Sequence, residues 1–152
     1  MGAGSGRNQF ENTLALQKKI HHSRCLFNRE SLLSGLNFRF SESGTLKGEF
    51  ECGGEYQGYD GMVHGGVIAA IIDASMAQCL MGHGIVAYTA DLSVRYRRPV
   101  MVDSPAVVRT SLSHSRSGII YKMESMIRQQ STPVVSAKGT FYSAEKSLSK
   151  NM

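Results

Sequence analysis

The chain has 152 residues, of which 41% are hydrophobic and 19% charged, with no tryptophan and a formal net charge of +5. That balance excludes a disordered or fibrous protein and predicts one globular domain large enough to bury a core. The longest apolar run, residues 67–81, is broken by Asp73, Ser75 and Gln78. It falls short of the roughly 20 residues that a membrane-spanning helix needs, so no membrane partner is expected.

The excess of positive charge, with a pI near 9.3, admits polyanionic partners. Its two clusters are Lys18-Lys19 with His21, His22 and Arg24, and Arg95-Tyr96-Arg97-Arg98. Neither has the aromatic interleaving or zinc spacing of a nucleic-acid module, so nucleic acid is not an expected partner. Cys25, Cys52 and Cys79 lack metal-ligand spacing and read as free thiols of a reducing compartment. No metal and no cofactor is expected. The chain does not open on a secretory apolar stretch, and Gly6 stands where N-myristoylation requires Ser or Thr; the expected location is the cytoplasm.

Residues 1–24 read as an N-terminal extension: a Gly-rich, flexible start over 1–7, then a weakly amphipathic helix over 11–22 with Phe10, Leu14, Leu16 and Ile20 as its apolar residues. The main domain spans 25–144, and 145–152 form a polar tail. Two strands are predicted at 36–40 and 46–52; in the first, Phe38 and Phe40 alternate with Asn37 and Arg39 as in a half-buried strand. A Gly-rich loop, 53–63, then delivers the chain to a helix over 65–81, which leaves through Gly82-His83-Gly84.

Four strands follow, at 85–96, 106–112, 119–128 and 134–141. In the first of them, Val86, Tyr88, Ala90, Leu92 and Val94 take one face, and Thr89, Asp91, Ser93 and Arg95 the other. The short turns predict that these four strands pair antiparallel as a meander. A helix apolar on most sides must be wrapped by other elements. The expected architecture is α+β, with a curved antiparallel sheet wrapped around one long apolar helix.

The most informative stretch is His64-Gly65-Gly66, which opens that helix, with Asp73 nine residues after the histidine. A carboxylate on an apolar helix should be buried, and an unpaired buried charge is costly enough that it is kept for chemistry or a specific partner. Bare backbone N–H groups at a helix start favour negative charge. Each residue also has a plainer reading. Asp73 can pair with a buried arginine, His64 can cap the helix, and Gly65-Gly66 can permit tight packing. Thr89 can be an ordinary strand threonine, and Arg97 and Arg98 a solvated rim.

The pattern H-G-G-x-x-x-x-x-x-D (His64, Gly65, Gly66, Asp73), with the strand Thr89-Ala-Asp-Leu-Ser-Val-Arg-Tyr-Arg-Arg-Pro99 after it, resembles the hot-dog fold and, within it, the PaaI-like (phenylacetate-type) acyl-CoA thioesterases. Gly35-Leu36-Asn37-Phe38-Arg39-Phe40 is similar to that family's first strand. The resemblance implies hydrolysis of an acyl-CoA thioester to free acid and CoA. It implies that the Gly65 N–H polarises the carbonyl, that His64 holds the loop, and that Asp73 is nucleophile or general base. It further implies that Thr89 assists and that Gly66 meets the substrate. Many relatives carry Asn or Gln six residues before the motif histidine, where this chain has Gly58; Gln57, beside it, can serve if the loop shifts by one residue.

Spacing adds an independent constraint. Gly65 and Asp73 are eight residues apart, which separates them by about 12 Å along a helix at roughly 1.5 Å per residue. A reacting carbonyl must sit about 3 Å from both donor and attacking group. One chain cannot meet both demands, but two antiparallel helices of a symmetric pair can. The expected assembly is a homodimer or dimer of dimers with shared sites. Arg97 and Arg98, at a strand end, are candidates for coenzyme A phosphates. The alternatives are a hot-dog hydratase or dehydratase acting on enoyl thioesters, or a non-catalytic acyl-CoA-binding protein.

Overall fold

The computed structural model describes residues 5–21, 25–28 and 36–144. Helix α1 (Ser5–His21) comes first, then strands β1 (Asn37–Phe40) and β2 (Leu46–Phe50), the central helix α2 (Gly65–Gly82), and strands β3 (Ala87–Tyr96), β4 (Ala106–Arg116), β5 (Ile120–Gln129) and β6 (Thr132–Ser143). The six strands form one antiparallel sheet in the order β1-β2-β4-β5-β6-β3. This is the α+β hot-dog arrangement.

The core lies between α2 and one face of the sheet. Ile68, Ile72, Met76 and Leu80 of α2 are essentially sealed from solvent, as are Leu46, Val108, Met123, Ile127, Val135 and Phe141 of the strands. Burying each such side chain contributes about 1.5–3 kcal/mol. A buried hydroxyl cluster crosses this interface. Ser75 Oγ donates to the Ile72 carbonyl at 2.7 Å and shares a 2.7 Å bond with Thr110 Oγ1, which bonds Ser125 in turn. Their polar atoms are thereby satisfied where water is excluded. The helix ends as its glycines predict: Gly84 takes φ +77°, and the Gly84 and Ile85 amides close onto the Met81 and Leu80 carbonyls.

Three expectations are corrected. The helix expected over 11–22 begins at Ser5, inside the stretch predicted to be flexible. It is held by its packing: Phe10 stacks on Phe40 and meets the tilted ring of His83, with ring centroids 5.5 and 4.6 Å apart, and Leu14 is buried. The last four strands are not a simple meander, because β3 and β4 are not neighbours: β3 pairs β6, and β4 pairs β2. Residues 97–105 carry the chain between them, tied by hydrogen bonds to Val63, Gly61 and Cys52 rather than closed in a tight turn.

The third correction concerns the burial of Asp73 on α2. The sheet covers one side and α1 packs on another, which buries eleven of its eighteen residues. A stripe at helical spacing, Gly66, Ala69, Ala70, Asp73 and Ala77, stays partly open to solvent. Asp73 is therefore half-buried in the single chain rather than buried. By length and composition α2 would pass for a membrane span, yet its apolar mass is the core of this domain.

Candidate active site

The loop that feeds α2 is stitched down residue by residue. The Met62 amide donates to Tyr59, Val63 to Val100, and His64 to Tyr56. His64 caps the helix: its Nδ1 accepts from the Gly66 amide at 2.9 Å, and its carbonyl accepts from Val67 and Ile68. Over residues 62–68 this leaves one backbone donor without a partner among the described residues, the N–H of Gly65. That N–H lies at the positive end of an 18-residue helix dipole.

Tyr96, which sequence reasoning assigned no role, completes the arrangement. Its hydroxyl donates to the Gly65 carbonyl at 2.6 Å. The Gly65–Gly66 peptide is thus held at both ends, by Tyr96 at its oxygen and by His64 at its nitrogen. Partial burial pushes the Tyr96 phenol pKa up, which keeps the proton that makes this bond. The signal was in the sequence, since Tyr96 is a polar-tipped aromatic at a strand end, but its partner lies 31 residues away.

Beside Gly65 opens a groove of about 670 Å³, walled by Met62, Val63, Ile68 and Val100 and reached by Arg97 and Arg98. Gln57 faces its own loop, with Oε1 accepting from the Gly61 amide at 3.2 Å. Gly58 packs against His64, and a Cβ there would sit 3.4 Å from the imidazole.

The acid stands elsewhere. Asp73 Oδ1 accepts a 2.6 Å hydrogen bond from Thr89 Oγ1, and neither residue lines the groove at Gly65. The simple alternation read along β3 put Thr89 on the face opposite Leu92 and Val94. A β-bulge between Thr89 and Asp91 breaks that alternation: Thr89 opposes Phe141, while Asp91 opposes Thr140. The extra residue, Ala90, swings Thr89 onto the helix side. The structure thus groups Gly65, His64, Arg97 and Arg98 at one end of α2, and Asp73 with Thr89 two turns further along.

The described cysteines are all free. Burial raises the Cys52 thiol to about 11 and the Cys79 thiol to about 12, so both are protonated near neutral pH and neither acts as a thiolate.

Residues 60–122 match the thioesterase superfamily. The mouse acyl-coenzyme A thioesterase THEM4 is 43% identical over 63 residues, which is 41% of this chain and 27% of that protein. The match thus spans about a quarter of the curated relative's length. The PaaI protein of the Escherichia coli phenylacetic acid degradation operon superposes with a TM-score of 0.77 at 13% identity, covering 91% of this chain and 96% of that one. A Streptococcus mutans protein solved with acetyl-CoA bound superposes with a TM-score of 0.66 at 20% identity, covering 71% of this chain and 89% of that one. The fold is that of the hot-dog proteins, and the matched segment makes the chain similar to the thioesterase superfamily. Within that class, the chain is similar to the PaaI-like acyl-CoA thioesterases.

Proposed function

We propose that this protein hydrolyses acyl-CoA thioesters to the free acid and CoA. The observation that carries the reading is the N–H of Gly65, the one backbone donor over residues 62–68 without a partner among the described residues, in the wall of a groove that Arg97 and Arg98 also line. A thioester carbonyl placed there accepts from Gly65 and from the helix dipole as its oxygen becomes negative. One such donor is typically worth about 3–4 kcal/mol in the transition state. The acetyl-CoA held by the Streptococcus mutans protein supports the choice of ligand.

Asp73 supplies the second half of the chemistry, attacking the carbonyl carbon or taking a proton from the water that does. The tetrahedral intermediate then collapses, the carbon–sulfur bond breaks, and the CoA thiolate leaves and is protonated. Where Asp73 is the nucleophile, water then cleaves the resulting anhydride, releasing the free acid and restoring the carboxylate. Thr89 holds Oδ1 of the carboxylate and leaves Oδ2 for that work. His64 acts by capping and Gly66 by donating its N–H to that cap, so both shape the loop that presents Gly65. Arg97 and Arg98 meet the phosphates of the coenzyme.

Each site is shared between two copies of the chain. Gly65 and Asp73 stand about 12 Å apart along one helix, so the carbonyl bound at Gly65 meets the aspartate of a partner. Two features support such a pairing. Strand β3 is one of the two edge strands of the sheet and the longer of them, and a long free edge is a template for another chain. The half-open stripe around Asp73 is the surface a second helix would cover. Release of free thiol from a panel of acyl-CoAs tests the activity. A hydratase or a non-catalytic acyl-CoA-binding protein would release none.

A further inference from the structure

The face of the sheet turned away from α2 carries a hollow of about 630 Å³. Arg95, Arg97, Arg109 and Lys138 border it, and Glu124 is its single carboxylate. Among the described residues none of these four cations makes an ion pair, the salt bridges there being Arg7–Glu11 and Lys47–Glu49. Serine hydroxyls stand between the charges, with Ser93 and Ser136 among them.

The register shows how unusual the placement is. Arg39 is the cross-strand partner of Lys47, and Lys47 of Arg109, so three exposed cations stand side by side on β1, β2 and β4. Like charges directly opposite one another on a sheet are destabilising. The Lys47–Glu49 pair, 3.4 Å long and well exposed, relieves little of that. The row resumes across the hollow at Arg95, whose β6 partner is Ser136. Lys138 stands directly opposite Glu124 in the register, which leaves the three arginines of the hollow in excess. Guanidinium groups interleaved with hydroxyls are the chemistry that receives a phosphate: bidentate donors for its oxygens, and net positive charge for its own.

We propose that this hollow binds a phosphate-bearing ligand, at a position distinct from the oxyanion site at Gly65. Arg97 borders both the hollow and the groove beside Gly65, so it stands where a ligand could pass from one to the other. The ligand is either a separate phosphorylated molecule or the far end of a coenzyme already held in the groove. Phosphate binding there requires only these charges and their geometry, and does not depend on whether the protein hydrolyses a thioester.

The test is calorimetric titration of the whole protein with inorganic pyrophosphate at low ionic strength. Wild type should bind, and Arg109→Gln/Lys138→Gln should bind about fivefold more weakly or worse. Lys18→Gln/Lys19→Gln, with the same loss of net charge on α1, should match wild type. Glu124→Gln should bind more tightly, a gain that misfolding cannot imitate. Repeating the wild-type titration in saturating CoA separates the sources. Displacement assigns the hollow to the coenzyme's own phosphates, and unchanged binding assigns it to a second molecule. Absence of pyrophosphate binding, or equal weakening in the two double variants, overturns the proposal.

Discussion

Thr89 and Asp73 meet at 2.6 Å, hydroxyl to carboxylate, because one extra residue in β3 turns the threonine toward the helix. Without that bulge, strict alternation would place Thr89 on the outer face. The contact therefore yields a graded prediction. Asp73→Asn should lower kcat by about 10²–10⁴-fold, the usual worth of a positioned acid or base. Thr89→Ala should cost about tenfold, as expected for a hydrogen bond to a charged group, and Thr89→Ser should retain most activity. An Asp73→Asn protein with wild-type kcat and melting temperature would remove the aspartate from the mechanism.

Tyr96→Phe removes the 2.6 Å bond to the Gly65 carbonyl and nothing else from the side chain. The loss expected is about fivefold in kcat, with KM little changed, in line with one hydrogen bond of about 1 kcal/mol. Because burial raises the phenol pKa, the wild-type advantage over Tyr96→Phe should persist into the ordinary tyrosine range. Steady-state kinetics at several alkaline pH values read both effects. A pure KM effect would show that Tyr96 shapes binding and not the donor.

Arg97 and Arg98 reach the groove at the helix start. Replacing both by alanine should raise KM for an acyl-CoA severalfold while kcat holds, since binding is lost equally from ground and transition states. The effect should shrink as salt is added. A KM that does not move at low salt would make the pair ordinary surface.

Complementation between two inactive variants tests whether sites are shared. Gly65→Pro deletes an N–H that has no partner among the described residues, at the first residue of α2. Proline is tolerated at a helix start, so folding should survive. Gly65→Pro and Asp73→Ala homodimers should each be inactive. A mixed dimer would hold one site with both defects and one intact site, restoring about half the wild-type rate. Native mass spectrometry confirms exchange. Inactive confirmed heterodimers would place donor and acid in one chain.

Alkaline stability should fall with the buried thiols. Cys52 and Cys79 are raised from 9.0 to about 11 and about 12 when folded. The unfolded thiols ionise first, so their contribution is fully present below pH 9 and is lost as pH rises toward the folded values. Urea midpoints should drop between pH 8.5 and 11 on this account. The drop should be smaller in Cys79→Ala, measured against that variant's own midpoint at pH 7.

Much of the molecule was legible along the chain because it depends on neighbours in sequence. The apolar run of α2, its glycine exit, the period-two strands and the His64-Gly65-Gly66 to Asp73 spacing are all local patterns. They anticipated a sheet with one core helix, and the span of α2 was placed to within a residue. The extent of α1 escaped this reading, because Phe10 and Leu14 find their partners in distant segments of the chain.

What only the tertiary structure decided are the relationships between distant segments. β3 takes β6 as partner instead of β4, because residues 97–105 are bonded to the loop before α2 and the strand after them is paired with β2. The bulge at Ala90 follows from fitting β3 to β6, and no residue type in β3 announces it. Tyr96 gains its meaning only when the end of β3 lies against the start of α2. The sequence by itself determined which groups can donate, accept or carry charge. Their placement within 3 Å of one another came from long-range strand pairing and core packing, which no local window of the chain contains.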